Sequence, residues 1–154
     1  MPDFDLIIIG AGTTGLMGVI ESTRRGRRVL VLERAENPGK KIRISDGGRA
    51  NFTNLHASPL NFLSDNSRFC VSTLNRYTPD DFISLIEKHV IACHECDHGQ
   101  LFCDGSAQKI IDMLTEEARG VALRMSTVVT GNLGGFNFQW ASGHACGQVV
   151  QGCP

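Results

Sequence analysis

The sequence predicts an α/β domain built around a parallel sheet, on the evidence of three features near its start. A continuous apolar run from Phe4 to Ile9 has the length and β-branched content of a buried parallel strand. A helical pattern follows from about Thr14 to Arg25, and a second apolar strand runs from Arg28 to Glu33. Strand, helix and strand in this order form a βαβ unit, which is the building block of parallel sheets.

Three glycines at G-x-G-x-x-G spacing, Gly10, Gly12 and Gly15, separate the first strand from the helix. In this pattern the first glycine permits a tight turn, and the second lets the backbone approach a pyrophosphate. The third lets the helix pack close to the strand. The helix N-terminus then offers unpaired N–H groups and a positive dipole end to the phosphates. These features predict a dinucleotide site, although the glycine pattern alone is weak evidence.

An acidic residue, Glu33, ends the second strand. It follows Gly12 by about 20 positions, the spacing expected for a carboxylate that binds a ribose. A carboxylate there accepts hydrogen bonds from ribose hydroxyls and repels a 2′-phosphate. The position therefore favours the adenosine ribose of FAD or NAD over that of NADP. The alternative is that Glu33 is a surface acid at the end of a strand.

Composition and charge exclude several classes of protein. The 154 residues are 42% hydrophobic and 20% charged with formal net charge −1, which suits one globular domain. That balance gives no electrostatic case for nucleic acid or an anionic membrane. No apolar run reaches the roughly 18 residues of a membrane span, and Asp3 and Asp5 stand where a secretory signal would be basic. We expect a cytoplasmic protein whose six cysteines are reduced thiols.

A long stretch with little regular pattern, from Pro38 to Asn54, follows the second strand. Loops of this length inside a compact domain are usually functional or disordered. This one is rich in Gly, Lys, Arg, Ser and Asn, which offer backbone and side-chain donors to phosphate and ribityl oxygens. The alternative is a flexible basic loop.

Four segments together resemble one family: GAGTTG at 10–15, VLVLE at 29–33, PGKKIRISDGGRANFTN at 38–54 and GQLFCDGSA at 99–107. From about Asp5 to about Thr130 the chain is similar to the HI0933-like bacterial flavoproteins, a group of NAD(P)/FAD-dependent oxidoreductases. The resemblance implies a Rossmann-like FAD-binding domain of the two-dinucleotide-binding flavoprotein type. The domain is expected to be incomplete and to carry a small β hairpin or meander. Where the family pattern has a glycine and a cysteine, this chain has Asp46 and Ala50.

The resemblance also implies a set of cofactor-binding residues. The glycine turn would hold the pyrophosphate, Glu33 the adenosine ribose, and the backbone of Val129 (or Val128) the adenine. The block after the second strand would line the phosphate and flavin side. The expected residues are Gly10, Gly12, Thr13, Thr14, Gly15, Glu33, Arg34, Lys41, Ser45, Gly47, Gly48, Arg49, Asn51 and Val129. The implied cofactors are FAD and, as electron donor, NAD(P)H, and no catalytic residue is assigned.

The remaining elements are predicted by capping and alternation. A helix begins after Thr78 with Pro79, and another runs from Ser106 to about Ala118. Val121 to Val129 is then typical of a strand that returns to the sheet. The segment from Cys93 to Cys103 predicts strand, turn and strand. Its cysteines and histidines invite a zinc site, but alternation sends the members of the C-x-x-C pair to opposite faces, so we expect no metal.

We divide the chain into an N-terminal FAD-binding region, residues 1–130, and a divergent or truncated tail, residues 131–154, with the substrate domain absent. The favoured function is the FAD-binding portion of an oxidoreductase whose flavin is reduced by NAD(P)H and passes electrons to an unidentified organic substrate. A non-catalytic or truncated nucleotide-binding fragment is one alternative, favoured by Asp46, Ala50 and the lack of an A-T-G-G motif near the end. An NAD-dependent dehydrogenase domain is another. The expected partner is a small-molecule substrate, and we expect no binding to nucleic acid or membrane. A second copy of the chain in a homo-oligomer, or a missing C-terminal part, is expected to supply the rest of the protein.

Overall fold

The computed structural model describes residues 4–66, 68–129 and 149–151. The helices and strands are β1 (Leu6–Ile9), α1 (Thr13–Arg24), β2 (Val29–Leu32), α2 (Lys40–Ile44), β3 (Asn51–Asn54), α3 (Val71–Arg76), α4 (Pro79–Lys88), β4 (Cys93–Cys96), β5 (Gln100–Cys103), α5 (Gln108–Glu117), β6 (Ala122–Arg124) and β7 (Val149–Gln151). Short 3-10 turns occupy Ser45–Gly48, Pro59–Asn61 and Asp97–Gly99. The chain forms two compact units: unit 1 comprises residues 1–42 and 114–154, and unit 2 comprises residues 43–113.

Unit 1 is an α/β unit around a sheet with strand order β6-β2-β1-β7. β1, β2 and β6 run parallel, whereas β7 runs antiparallel to β1. Helix α1 connects β1 to β2 and buries Leu16, Val19 and Ile20, because apolar residues at this spacing share one helix face. The predicted Rossmann-like architecture is confirmed, with α1 within one residue of its predicted bounds.

The turn between β1 and α1 is held by close backbone contacts. Gly10 has a φ of +101°, a conformation that L side chains rarely adopt, and its N–H donates to the carbonyl of Leu32 at 2.8 Å. A Cβ on Gly15 would lie 1.9 Å from the carbonyl oxygen of Gly10. The sequence predicted a tight turn at the first glycine and close packing at the third, and both are confirmed.

The side chain of Glu33 connects this turn to the end of β2. One carboxylate oxygen accepts the N–H of Ala11 at 2.6 Å, and the other accepts the N–H of Ala35 at 2.7 Å. The backbone of Glu33 is also engaged, since its N–H donates to Arg124 at 2.9 Å and its carbonyl accepts from Thr127 at 2.8 Å. Glu33 is therefore a half-buried structural residue as well as a candidate ligand.

Unit 2 contains an antiparallel sheet with strand order β3-β5-β4, in which β4 and β5 form a hairpin. The predicted strand, turn and strand between Cys93 and Cys103 is confirmed. Helix α4 starts as expected: Thr78 accepts from the N–H of Asp81 at 3.3 Å, and the Asp81 carboxylate accepts from Thr78 in return. Phe82 on this helix packs against Phe52 on β3, with ring centroids 5.9 Å apart.

Two predicted segments differ from the structure. The block from Pro38 to Asn54 is largely ordered into α2, a 3-10 turn and β3, and its short helix is anchored by Ile42, which is buried. The strand predicted from Val121 to Val129 ends at Arg124. Ser126 takes a positive φ of 50° and donates its N–H to Ala35, which turns the chain out of the ladder.

The predicted tail from residue 131 lies outside the described residues, apart from Val149–Gln151, which pair with Leu6–Ile8 of β1. The predicted boundary at residue 130 lies outside them too. Within the part of the chain that the structure describes, no helix has the length and apolar character to cross a membrane.

A surface ion pair holds the starting ends of β1 and β2 together and gives a pH-dependent prediction. The carboxylate of Asp5 accepts from the guanidinium of Arg28 at 3.0 Å and from its backbone N–H at 2.8 Å. The side-chain contact, followed by the backbone contact, lowers the pKa of Asp5 from 3.8 to about 2. Because the folded pKa lies below the unfolded one, the stabilisation is complete above about pH 4 and is lost as the pH falls towards 2.

We therefore expect Asp5→Asn to lower the urea midpoint at neutral pH. The difference from the wild type should shrink as the pH falls from about 4 to about 2. Asp65→Asn, at an exposed carboxylate, is the matched control and should leave the midpoint unchanged. A difference that stays constant over this pH range would contradict the role of the ion pair.

The bond from Ala11 to Glu33 gives a second prediction. In Glu33→Ala the N–H of Ala11 loses its acceptor, and an unsatisfied buried donor costs about 1–3 kcal/mol. We expect a loss of stability in that range and faster hydrogen exchange at the Ala11 amide, followed by NMR. Glu36→Ala, at the exposed acid three residues on, is the control. Unchanged protection of Ala11 in Glu33→Ala would mean that the carboxylate does not hold the turn.

Candidate dinucleotide-binding site

The N-terminus of α1 has the features of an anion site. Gly12 is its N-cap residue, no side chain among the described residues caps it, and its first turn contains no acid. The first N–H groups of a helix have no acceptor within the helix, and they form the positive end of its dipole. Thr13 and Thr14, the first two helical residues, are exposed. A phosphate placed here would meet backbone donors.

The space beside Gly12 fits a closely approaching ligand. In the described part of the chain, no atom outside Gly12 and its two chain neighbours lies within 4 Å of the position that a Cβ on Gly12 would take. Its φ of −82° is one that any residue can adopt. The absence of a side chain is therefore not required by the backbone, and it leaves room for a pyrophosphate in contact with the turn. The residues present fit the dinucleotide that the sequence predicts.

Glu33 lies where the ribose attached to that pyrophosphate would be expected. In open α/β sheets, ligands bind outside the carboxyl ends of the parallel strands, and Glu33 directly follows β2. Each carboxylate oxygen accepts one backbone N–H and keeps further lone-pair capacity for a hydroxyl. The two backbone bonds fix the carboxylate in place, so that it would not have to be ordered on binding.

Unit 1 thus brings most of the first predicted group together at one end of its sheet: Gly10, Gly12, Thr13, Thr14, Gly15 and Glu33. The exposed Arg34 is the next residue in the chain. Lys41 lies in α2. Val129 follows β6 by five residues and lies outside that strand, so its contact with adenine stays a prediction.

The second predicted group, in unit 2, is gathered at one turn. Ser45, Gly47 and Gly48 lie in the 3-10 turn, Arg49 is the residue after it, and Asn51 begins β3. Two hydrogen bonds then hold this segment against the segment at 99–107. The carbonyl of Gly48 accepts from Ala107 at 2.7 Å, and that of Ala50 accepts from Cys103 at 3.3 Å. Their role toward phosphate and flavin stays a prediction.

One polar arrangement in unit 2 was missed by the sequence analysis. Nδ1 of His94 lies 2.5 Å from a carboxylate oxygen of Asp104, and the imidazole stacks on Phe102 with centroids 6.0 Å apart. The guanidinium of Arg49 lies 5.3 Å from the centre of the same Phe102 ring. Phe102 is the strand partner of His94 on one side and of Asn51 on the other. The side chains of Asn51, His94 and Phe102 therefore share a face of the sheet.

An imidazole held by a carboxylate is an arrangement that general acid–base catalysis uses. The sequence indicates His94 only as a metal ligand, because the register of the hairpin is what brings Asp104 to it. Among residues 4–66, 68–129 and 149–151, no group of three or more His, Cys, Asp or Glu side chains is arranged to hold a metal ion.

Comparison with known proteins places this geometry in a family. The HI0933-like protein Rossmann domain matches residues 4–131. A ribosomal RNA dihydrouridine synthase of Escherichia coli is 53% identical over 117 residues, which cover 76% of this chain and 29% of that protein. A protein of the same name from Haemophilus influenzae is 46% identical over 111 residues, covering 72% of this chain and 28% of that protein. The chain thus spans less than a third of the length of these relatives.

Among solved structures, THI4 of Thermovibrio ammonificans is similar in fold. The two superpose with a TM-score of 0.53 at 14% sequence identity, over 80% of this chain and 38% of that one. At this identity the likeness concerns the fold alone. With a family match that extends over most of its length, and with the glycine turn, helix and acid of a Rossmann unit in place, the chain belongs to the HI0933-like protein family.

Proposed function

We propose that this chain is the FAD-binding portion of a flavoprotein reductase. The observation that carries the proposal is the turn beneath the N-terminus of α1, open at Gly12 and bonded to the carboxylate of Glu33. The helix end and the turn would hold the pyrophosphate, and Glu33 would accept the hydroxyls of the adenosine ribose.

The topology after β2 favours FAD over a simple nicotinamide dehydrogenase. In the parallel sheet the neighbour of β2 is β6, and residues 43–113 form a separate unit between these two strands in the sequence. A simple Rossmann dehydrogenase would continue with a helix and a strand. In the inserted unit, Arg49 and Asn51 carry side-chain N–H groups of the kind that bind phosphate and flavin oxygens. A bound flavin supplies two-electron redox chemistry, and NAD(P)H is the proposed electron donor.

The proposed substrate is a uridine of ribosomal RNA, on the strength of the two relatives named ribosomal RNA dihydrouridine synthase. Dihydrouridine carries two more hydrogens than uridine, across one ring double bond, so its formation consumes two electrons and two protons. The electrons arrive as a hydride equivalent, and the remaining proton needs a donor. His94, held by Asp104, is the group in unit 2 best arranged to provide it.

The expectation of a small-molecule partner without nucleic acid stays a prediction, and the proposed RNA substrate departs from it. Three arginines at the end of α1 and shortly after it are paired with acids: Arg24 and Arg25 with Glu21, and Arg28 with Asp5. We therefore assign the contacts with the RNA backbone to the part of the relatives that this chain does not match, whereas His94 would meet only the uridine base. The alternative of a non-catalytic nucleotide-binding fragment predicts FAD binding without turnover.

A comparison of FAD with FMN tests the part of the predicted site that would bind the adenosine. We expect the chain to bind FAD more tightly than FMN, because FMN lacks the adenosine that Glu33 and the glycine turn would contact. Gly12→Ala should weaken FAD binding by at least about tenfold, or about 1.4 kcal/mol, because its Cβ would occupy the open space beside the turn. Flavin fluorescence titrations measure both effects.

The control is the stability of the same variant. Since the backbone of Gly12 suits any residue, Gly12→Ala should cost less than about 1 kcal/mol, mostly as a poorer N-cap. FMN binding as tight as FAD binding, or no binding of either, would contradict the proposed cofactor.

The substrate can be tested in a chimera. The residues of the Escherichia coli relative that match this chain at 53% identity are replaced by this chain. The chimera is expressed in a strain that lacks that enzyme. Mass spectrometry of ribosomal RNA should then show dihydrouridine, and the same chimera with Gly12→Ala should show less. A chimera that binds FAD but forms no dihydrouridine would exclude the substrate and leave the cofactor proposal standing.

A further inference from the structure

Two thiols oppose each other across the β4–β5 hairpin. Cys93 begins β4, Cys103 ends β5, and the two residues are direct partners in the antiparallel register. The next pair outward is Ala92 and Asp104, where the N–H of Asp104 donates to the carbonyl of Ala92 at 2.9 Å. Hydrogen-bonded and non-hydrogen-bonded pairs alternate along an antiparallel ladder. Cys93 and Cys103 are therefore a non-hydrogen-bonded pair, the type whose side chains lie closer together.

This kind of pair suits a disulfide. Its Cα atoms are typically about 4.5 Å apart, which falls inside the range of about 4.4–6.8 Å for disulfides. The two side chains also lie on one face of the ladder. Cys96, three residues along β4, is opposed to Gln100 instead, and alternation directs it to the other face from Cys93. The C-x-x-C spacing in the sequence is thus not the pair that the fold brings together.

The two thiols differ in their environment. Cys93 is exposed on β4, an edge strand of the sheet. Cys103 is only 1% exposed, and its Sγ lies 3.4 Å from the carbonyl oxygen of Ser106. Burial raises the pKa of Cys103, so this thiol is a poor direct target for an oxidant. The exposed Cys93 meets the oxidant first, and Cys103 is placed to react with it afterwards.

We propose that Cys93 and Cys103 form a peroxide-sensitive dithiol that closes into a cross-strand disulfide. The Cys93 sulfur attacks the O–O bond of hydrogen peroxide, which forms a sulfenic acid and releases one water. The Cys103 sulfur then attacks that sulfur, the S–O bond breaks, and a second water leaves. Two thiols are oxidised by two electrons, and one peroxide is reduced to two waters.

The disulfide would cross-link the strands that carry the candidate proton donor. His94 follows Cys93 and Asp104 follows Cys103, so oxidation fixes the two backbones beside the imidazole–carboxylate contact. The segment after Cys103 also donates, through Ala107, to Gly48 in the predicted cofactor turn. The redox state of the thiol pair is thereby connected to the candidate site in unit 2.

The chain's own sequence allows a direct assay. The reduced protein without added flavin is treated with hydrogen peroxide, its remaining thiols are alkylated, and it is digested without reductant. In one digest, cleavage after Glu95 separates Cys93 from Cys96; in a second, parallel digest, cleavage before Asp97 separates Cys96 from Cys103. We expect mass spectrometry to find the Cys93 peptide joined to the Cys103 peptide, with Cys96 alkylated and the link removed by dithiothreitol.

Variants distinguish the two roles. Cys96→Ser should form the link at the wild-type rate, whereas Cys93→Ser should abolish it. Cys103→Ser should stop at a sulfenic acid on Cys93, trapped by dimedone. A link from Cys93 to Cys96, a disulfide between two molecules, or full alkylation of Cys93 and Cys103 after peroxide treatment of the wild type would each overturn the proposal. Because no cofactor takes part, the result is independent of FAD binding.

Discussion

A single carboxylate bonded to two backbone amides organises the candidate site. Glu33 stands at the end of β2, but its side chain reaches back to the N–H of Ala11 in the turn that leaves β1. Such a donor, left without a partner, would cost more than the net value of an ordinary hydrogen bond. The backbone of the same residue receives the chain that leaves β6, through Thr127. Three parallel strands therefore end in contacts with one residue.

The dual use of Glu33 explains how the site is preorganised. The carboxylate accepts the N–H groups of Ala11 and Ala35 in the folded chain whether or not a ribose is present. Its position is therefore set by the fold. Close packing sets the helix in the same way. With Gly15 against the carbonyl of Gly10, the first turn of α1 lies directly over the end of β1. Binding energy is then not consumed in ordering the groups that contact the ligand.

The sequence predicted those parts of the fold that local chemistry determines. The β1–α1–β2 unit has apolar runs, glycines and an acid at fixed spacing, and Thr78 starts its helix through a side-chain cap. The parts it did not predict depend on tertiary contacts. Helix α2 is short and relies on the burial of Ile42. The strand β6 ends early because Ser126 bonds to Ala35 rather than to the ladder. The pairs His94–Asp104 and Cys93–Cys103 follow from the hairpin register, which a repeating pattern of residues does not specify.

The insertion of unit 2 between β2 and β6 has a consequence for how the chain is made. Residues 43–113 are contiguous, so all the strands of the β3-β5-β4 sheet leave the ribosome together and pair locally. The parallel sheet of unit 1 cannot be completed until β6 has been synthesised, because β2 pairs with it across the whole inserted unit. Until then the apolar edge of β2, with the buried Val31, has no strand partner on that side. Contacts between residues so distant in sequence form slowly, and an open strand edge is prone to association. The order of the strands therefore leaves one edge of β2 open to association until β6 emerges.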